Sequence, residues 1–447
     1  MVMKKIDKDI LNGNIAEQLL IFFIPVLLTY LFQQLYNTVD AMIVGQYVGK
    51  AALAAVGGTT GTAISLILDF ILGLASGITI LVAQYYGRRD TVSVEKTVKT
   101  GFFMAFSFGA VMTVVGILVT PGLLSLLNVP SDVVEPSNLY MKVYLIGLIP
   151  QLIYNIGASV LRAIGDSKTP LYYLVVSSVI NIILDLLFIK NFGMGVFGAA
   201  FATVISQVVS ALLTLYHLSR VEDCYHYSIK YFGYDPQVLI KIITLGFPAA
   251  IQSVVYSVTN LYIQSAVNAF GTTTTAAYTA YGRIDGFYWR FSNAFGISVS
   301  TIVGQNYGAN KKDRVIKTVY VSFVMFLVIA LPIIFLCYKE VTPLMSLFTK
   351  DKDVIHVGTV LMEYLAPKWL YFMPIEILSS TIKAAGDSLN PMIISLLGIA
   401  LVRIIYLTFV PYIGLIGAMK SYPISWIITS VAFIIFALRG KWLNKTL

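Results

Sequence analysis

The sequence predicts an all-α polytopic membrane protein: twelve transmembrane helices in two six-helix lobes, related by pseudo-two-fold symmetry along the membrane normal, around a central cleft. Three observations predict it. The 447 residues are 57% hydrophobic and only 12% charged, with a mean hydropathy of +0.81, and so few charges cannot cover a soluble protein of this size. Apolar runs of roughly 20 residues recur from end to end, each long enough to cross about 30 Å of hydrocarbon as a helix. Finally, the segment Arg162-Ala163-Ile164-Gly165-Asp166-Ser167-Lys168-Thr169-Pro170 returns as Lys383-Ala384-Ala385-Gly386-Asp387-Ser388-Leu389-Asn390-Pro391, a shift of 387 − 166 = 221. One membrane unit is built twice.

In chain order, Met1 to Asn14 is polar and of mixed charge, without the apolar core and small-residue cleavage site of a signal peptide. Apolar runs then predict spans at 16–43, 52–82, 95–119, 134–161, 169–189 and 194–218, and again at 238–269, 274–304, 315–338, 354–382, 390–410 and 414–437. The longest polar connection divides residues 1–218 and 237–447, with 219–236 as a linker. Further matches keep the same order: Val82–Gly87 with Val303–Gly308, Gly195–Ala199 with Gly414–Ala418, Pro25 with Pro248, and Asn37 with Asn260. Six spans per half, an even number, make both halves run the same way, which requires an axis along the membrane normal.

Basic residues set the orientation. Lys4, Lys5, Lys8, Arg88, Arg89, Arg162, Lys168, Arg220, Lys230, Lys311, Lys312, Arg314, Lys383, Arg439, Lys441 and Lys445 fall on one side. The other side holds only Lys50, Lys190, Lys339, Lys350 and Lys352. The positive-inside rule makes the first side cytoplasmic, with both termini on it. The net charge of +9 is therefore read as membrane orientation, and no nucleic-acid partner is expected. Cys224 and Cys337 fall on opposite faces of this topology, so no disulfide is expected.

A charge at the bilayer centre costs about 2.5–3.5 kcal/mol or more, so charged residues within spans are candidates for chemistry. Asp40 lies in the outer half of the first span. Asn181 and Asp185 sit four apart on one face of the fifth, and Thr203 reaches a similar depth on the sixth. Together they can form a cation site for H⁺ or Na⁺; the alternative is that a hydroxyl or amide satisfies each Asp separately. Asp69 and Arg290 occupy equivalent spans at mid-depth and can pair. Arg403 is near mid-span, Glu376 can be a second proton or substrate site, and Asp285 is also within a span. Arg283 and Lys420 can snorkel outward. Pro25 and Pro248 interrupt the first and seventh helices. Protonation of Asp40, fifteen residues beyond Pro25, can bend the first helix; a fixed kink is the alternative. No phosphate-binding loop supports ATP drive, and His217, His226 and His356 are too scattered for a metal site, so no cofactor is expected.

The two six-span lobes, the segment Phe32-Gln33-Gln34-Leu35-Tyr36-Asn37-Thr38-Val39-Asp40, the segment Ala83-Gln84-Tyr85-Tyr86-Gly87 and the paired Gly-Asp-Ser-x-x-Pro loops resemble the multidrug and toxic compound extrusion (MATE) family, over essentially the whole chain. The resemblance implies a secondary antiporter that expels amphipathic compounds in exchange for H⁺ or Na⁺ by alternating access. It implies no enzymatic activity, and a monomer in the cytoplasmic membrane with lipid and a small-molecule substrate as partners. Within the family the chain is most similar to the DinF-like prokaryotic branch. That similarity assigns coupling-ion binding to Asp40, Asn181, Asp185 and Thr203, and helix bending to Pro25. Tyr36 and Asn37 fall in the matching segment and are cleft candidates. Where the NorM-like branch carries an acid on the seventh span, this chain has Tyr256. Glu376 stands about one turn from that branch's tenth-span acid. The basic residues of the second half, Arg290 and Arg403 among them, keep open an alternative, a flippase for a lipid-linked glycan or another anionic amphiphile. At the repeat offsets Asp40 meets Ile263, Asn181 meets Val402, Asp185 meets Tyr406 and Thr203 meets Tyr422, so the acidic site belongs to the first half alone.

Overall fold

The computed structural model describes residues 7–127, 129–410 and 414–444, and all regular structure among them is helical. Helix α1 (Asp7–Asn12) leads into α2 (Ile15–Tyr47), where Asn14 Oδ1 accepts the Ala16 N–H at 3.0 Å. Short α3 (Lys50–Gly57) precedes α4 (Thr59–Arg88) and α5 (Thr91–Leu126), the last capped by Asp90, which accepts the Ser93 N–H at 3.0 Å. Helices α6 (Ser131–Ile146) and α7 (Leu148–Ala163) meet at a bend of 49°. Helix α8 (Lys168–Asp185) runs into a π-helical turn, Leu186–Asn191, and α9 (Gly195–Arg220) follows. The second half comprises α10 (Pro236–Asn268), α11 (Thr272–Gly308), α12 (Lys312–Lys339), α13 (Val341–Ser346) and α14 (Lys352–Leu365). After a 3₁₀ segment, Ala366–Phe372, come α15 (Met373–Ala384), α16 (Leu389–Ser395), a π-helical turn Leu396–Leu401, α17 (Val402–Phe409), α18 (Gly414–Met419) and α19 (Ser421–Leu438).

The repeated Gly-Asp-Ser loops are devices for stopping one helix and starting the next. Gly165 (φ 102°) and Gly386 (φ 97°) take the left-handed conformation that an L side chain resists. Asp166 then accepts the N–H groups of Lys168 (3.1 Å) and Thr169 (3.0 Å), and Asp387 accepts that of Asn390 (3.3 Å). Arg89 (φ 62°) and Asn310 (φ 58°) mark a second matched helix end, 310 − 89 = 221. The strongest sequence echo therefore encodes turns, and its two aspartates serve the backbone.

The chain forms two compact units, one containing Ile24–Gly246 and the other Asp9–Phe23 with Phe247–Leu447. The division expected in the 219–236 linker is displaced into helices α2 and α10, which change unit beside Pro25 and Pro248. The physical reason is docking. Within the first unit the linker lies on α5: Tyr227 stacks on Phe102 with centroids 4.2 Å apart, and Tyr234 on Phe103 at 4.6 Å. Asp235 pairs with Lys96 at 3.0 Å and accepts the Gln237 N–H at 3.0 Å, capping α10. The adjacent ammonium holds the Asp235 carboxyl below its ordinary range. The start of α10 then meets α4 backbone to backbone, because a Cβ on Gly77 would lie 2.4 Å from the Ile242 carbonyl and one on Gly246 2.4 Å from that of Leu74. Within the second unit, Phe23 packs edge-on against Phe291 (5.6 Å) and Phe295 (5.7 Å). Lys311 donates to Leu11 O at 2.9 Å, and Arg314 to Ile10 O at 3.1 Å.

Among the described residues nine helical segments are long and apolar enough to cross a membrane, or ten with α6–α7 taken as one broken span. Two of the twelve expected spans fall outside that set. Helix α11 carries Arg283, Asp285 and Arg290, and the α14–α15 run carries Glu363, Lys368 and Glu376. Lys4, Lys5 and Lys445 lie outside the described residues.

The close approach of α4 and α10 gives a stability test. Gly77→Val or Gly246→Val is expected to lower the thermal midpoint of the detergent-purified protein, at a cost of about 1–3 kcal/mol from overpacking. Gly122→Ala, whose Cβ meets nothing within 4 Å, is expected to leave it unchanged or raise it. Equal midpoints for all three would contradict the packing described.

Candidate functional site

Helices α2, α8 and α9 of the first unit carry the four residues singled out in the sequence. Asp40, Asn181, Asp185 and Thr203 are buried, at 7, 1, 0 and 4% exposure. Asp40 and Asp185 lie close enough to act on each other electrostatically. Neighbouring protein groups do not satisfy them: Asp40 Oδ1, both carboxylate oxygens of Asp185 and both side-chain polar atoms of Asn181 are buried without a hydrogen-bond partner. Thr203 spends its proton on the Ala199 carbonyl at 3.0 Å, which leaves its hydroxyl only lone pairs to offer. Acceptors in excess, two of them carboxylates that repel, suit a proton or a small hard cation. Asp185 ends the α-helical part of its span, and the π-helical turn begins at the next residue.

Along α2, α8 and α9 the site lies between an apolar stretch and a polar one. On one side Ile43, Val44, Ile189, Val196, Ala199 and Ala200 join Tyr140 and Tyr144 in a buried cluster. On the other, a cavity of about 50 Å³ is lined by Gln33, Tyr36, Gln151, Asn181 and Gln207, among others. Gln207 Nε2 donates to Gln151 Oε1 at 3.2 Å, and the Tyr144 hydroxyl donates to the same oxygen at 3.3 Å. The α6–α7 bend makes this possible, since a Cβ on Gly147 would lie 2.0 Å from Gln207 Oε1. Sequence reasoning missed Gln151, Gln207 and Gly147. The available signal was the stripe Ser177, Ser178, Asn181 and Asp185 on α8 with Thr203, Ser206, Gln207 and Ser210 on α9, polar residues at helical spacing in apolar segments.

The remaining candidates separate. Pro25 lies inside α2, and the Thr29 hydroxyl donates to its carbonyl at 2.8 Å. Tyr36 lines the polar cavity, whereas Asn37 is exposed. Asp69 stands on α4 in the first unit and Arg290 on α11 in the second. The Tyr256 hydroxyl accepts from Gln252 Nε2 at 3.1 Å, and Gln252 Oε1 accepts from Lys383 Nζ at 2.6 Å. Glu376 Oε2 accepts the Ser292 hydroxyl at 3.3 Å. Asp285 accepts from Trp289 Nε1 (2.7 Å) and the Tyr281 hydroxyl (3.2 Å). Arg403 is buried and donates from Nε to Ser425 Oγ at 3.0 Å. Arg283 and Lys420 are exposed. Among the described residues no three His, Cys, Asp or Glu side chains converge as metal ligands.

The MatE family model matches residues 25–187 and 248–409, well over half of the chain, the two matches starting at Pro25 and Pro248. The probable multidrug resistance protein YoeA of Bacillus subtilis is 29% identical over 426 residues, covering 93% of this chain and 92% of the relative. The probable multidrug resistance protein NorM of Thermotoga maritima is 25% identical over 441 residues, covering 96% and 93%. Two solved structures share the fold with TM-scores of 0.91 and full coverage of both chains. One, at 21% identity, is a MOP superfamily transporter from Pyrococcus furiosus whose reversed pocket polarity suggested a different function for it. The other, at 22%, is a multidrug resistance MATE family transporter in an outward-facing conformation.

The excess of acceptors predicts the sign of a stability change. In sodium-free buffer at alkaline pH, Asp185→Asn supplies a donor to Asp40 and is expected to raise the thermal midpoint, by an amount corresponding to about 1–3 kcal/mol. A lowered midpoint would mean that the cluster is already satisfied.

Proposed function

The chain belongs to the MatE family of multi-pass membrane transporters, and on that premise we propose that it is a secondary antiporter of the cytoplasmic membrane, exporting amphipathic organic compounds in exchange for H⁺ or Na⁺. It works as a monomer, by alternating access, with both termini in the cytoplasm. The observation that carries this reading is the Asp40–Asp185 pair with its unsatisfied oxygens, set between an apolar cluster and a polar cavity. A proton or Na⁺ entering the pair removes the repulsion between the carboxylates. That changes how α2 packs on α8, on the same helix that carries Pro25. A proline has no N–H, so the Ile21 carbonyl lacks its intrahelical donor and the helix bends there at low cost. The ion drives the cycle only through its different affinity for the two states, and substrate held in one state is released in the other.

The test is transport in proteoliposomes. With an imposed H⁺ or Na⁺ gradient, Asp40→Asn is expected to lower gradient-driven movement of a fluorescent organic cation by about tenfold or more, the scale of a lost coupling free energy. Binding of that cation in the absence of a gradient should persist. Unchanged gradient-driven export by Asp40→Asn would remove the pair from coupling.

A further inference from the structure

The start of the chain is fastened by contacts that the internal repeat does not share. Helix α1 is six residues long, too short to hold itself together in water. Its last carbonyls are taken by cations of the second unit. Arg314 donates to Ile10 O from Nε at 3.3 Å and from Nη2 at 3.1 Å, and Nη2 also donates to Gly13 O. Lys311 Nζ donates to Leu11 O at 2.9 Å and to Asn12 Oδ1 at 2.7 Å, and buried Asn306 donates to Ile10 O at 3.4 Å. Positive side chains at the end of a helix suit its free carbonyls. At the repeat offset of 221, Lys311 stands where the first unit has Asp90, and Arg314 where it has Ser93. Asp90 caps its own helix by accepting the Ser93 N–H, whereas Lys311 leaves α12 without a side-chain cap. The second unit gives up a local cap and turns both positions to α1.

What these cations hold is the leading half of α2. Asp9–Phe23 belongs to the second unit, and α2 passes into the first beside Pro25. Ile15, Leu19, Phe22 and Phe23 are buried along that half, whereas Leu35 and Met42 beyond the proline are exposed. Asn14 joins α1 to α2 by accepting the Ala16 N–H. A bend at Pro25 redirects the half that bears Asp40 only if the other half stays in place. Apolar contacts such as Phe23 on Phe291 and Phe295 are non-directional and let a helix turn or slide. Hydrogen bonds to the carbonyls of α1 are directional and fix its rotation and register.

We propose that Arg314 and Lys311 are positioning residues for ion–substrate coupling: through α1 they fix the leading half of α2, so that an ion at Asp40 and Asp185 moves the half beyond Pro25. This rests on the transport reading and deepens it, by placing a determinant of coupling on α12, away from the ion site and the polar cavity.

Two measurements test it. The first is amide hydrogen exchange of the full-length wild type in nanodiscs, with the ion site loaded by acid or by Na⁺ and then emptied, corrected for the intrinsic effect of pH. Exchange in residues 9–23 is expected to stay constant within about twofold while that in 30–47 changes severalfold. A leading half that responds as strongly as 30–47, or a segment 30–47 that does not respond, overturns the proposal even if every variant misfolds. The second is transport in proteoliposomes under an imposed H⁺ or Na⁺ gradient. Arg314→Gln is expected to lower export of a fluorescent organic cation by about fivefold or more, the lower end of coupling between two sites, and to raise the number of ions admitted per cation exported. Arg314→Lys, which keeps a charged donor, is expected to recover part of the export. Loss of folded protein alone would lower both fluxes together, so an unchanged ratio in folded Arg314→Gln also overturns the proposal. Wild-type export without the difference in exchange defeats the anchor alone, and the difference in exchange without export defeats the antiport reading alone.

Discussion

Two carboxylates buried close together inside a membrane-spanning bundle repel each other, and the first unit is built around that constraint. Asp40 Oδ1 and both Asp185 oxygens are buried without a hydrogen-bond partner among the described residues, which leaves the repulsion unrelieved. The apolar cluster on one side and the polar cavity on the other follow from it. The first keeps the local dielectric low and the interaction strong, and the second sets polar side chains close to the pair.

The second unit treats its buried charges in the opposite way. Asp285 accepts from an indole and a phenol, Glu376 from a serine, and Lys383 is held by the Gln252 amide, which in turn reaches Ser395. Each charge there has a neutral hydrogen-bond partner in place of a second carboxylate. The halves therefore keep matched turns while their buried charges differ. The matched turns at Gly165 and Gly386 preserve the helix directions, while residues between the turns are free to diverge. Arg403 is held by a hydroxyl and an aromatic face.

The helices α2 and α10 tie these features together. Each changes unit next to a proline, and each is anchored on the near side of that proline by contacts with little freedom: Phe23 against Phe291 and Phe295, and the Gly77–Gly246 backbone approach. The linker at 219–236, the longest polar connection in the chain, is held on α5 by stacked aromatics and an ion pair. Bending is cheaper at Pro25 and Pro248, where a helical hydrogen bond is already missing, than in a docked linker.

Much of this was determined by the sequence. Apolar runs too long and too uncharged for a soluble protein required membrane helices, and the 221-residue echo required two similar halves, because both signals are local and survive without knowledge of packing. Helical periodicity also placed Asn181 and Asp185 on one face, and the failure of the repeat at Asp40, Asn181, Asp185 and Thr203 set the acidic site in the first half. Tertiary structure alone decided the rest. Gln151 and Gln207 become site neighbours only because α6–α7 bends at Gly147, and a neutral amide in an apolar run carries no signal of its own. Asn37 shares the motif of Asp40 but is exposed, since three residues turn a helix through most of a revolution. The unit boundary moved from the linker into α2 and α10 because ring stacking and glycine-to-glycine approach depend on which surfaces meet, and hydropathy does not record that.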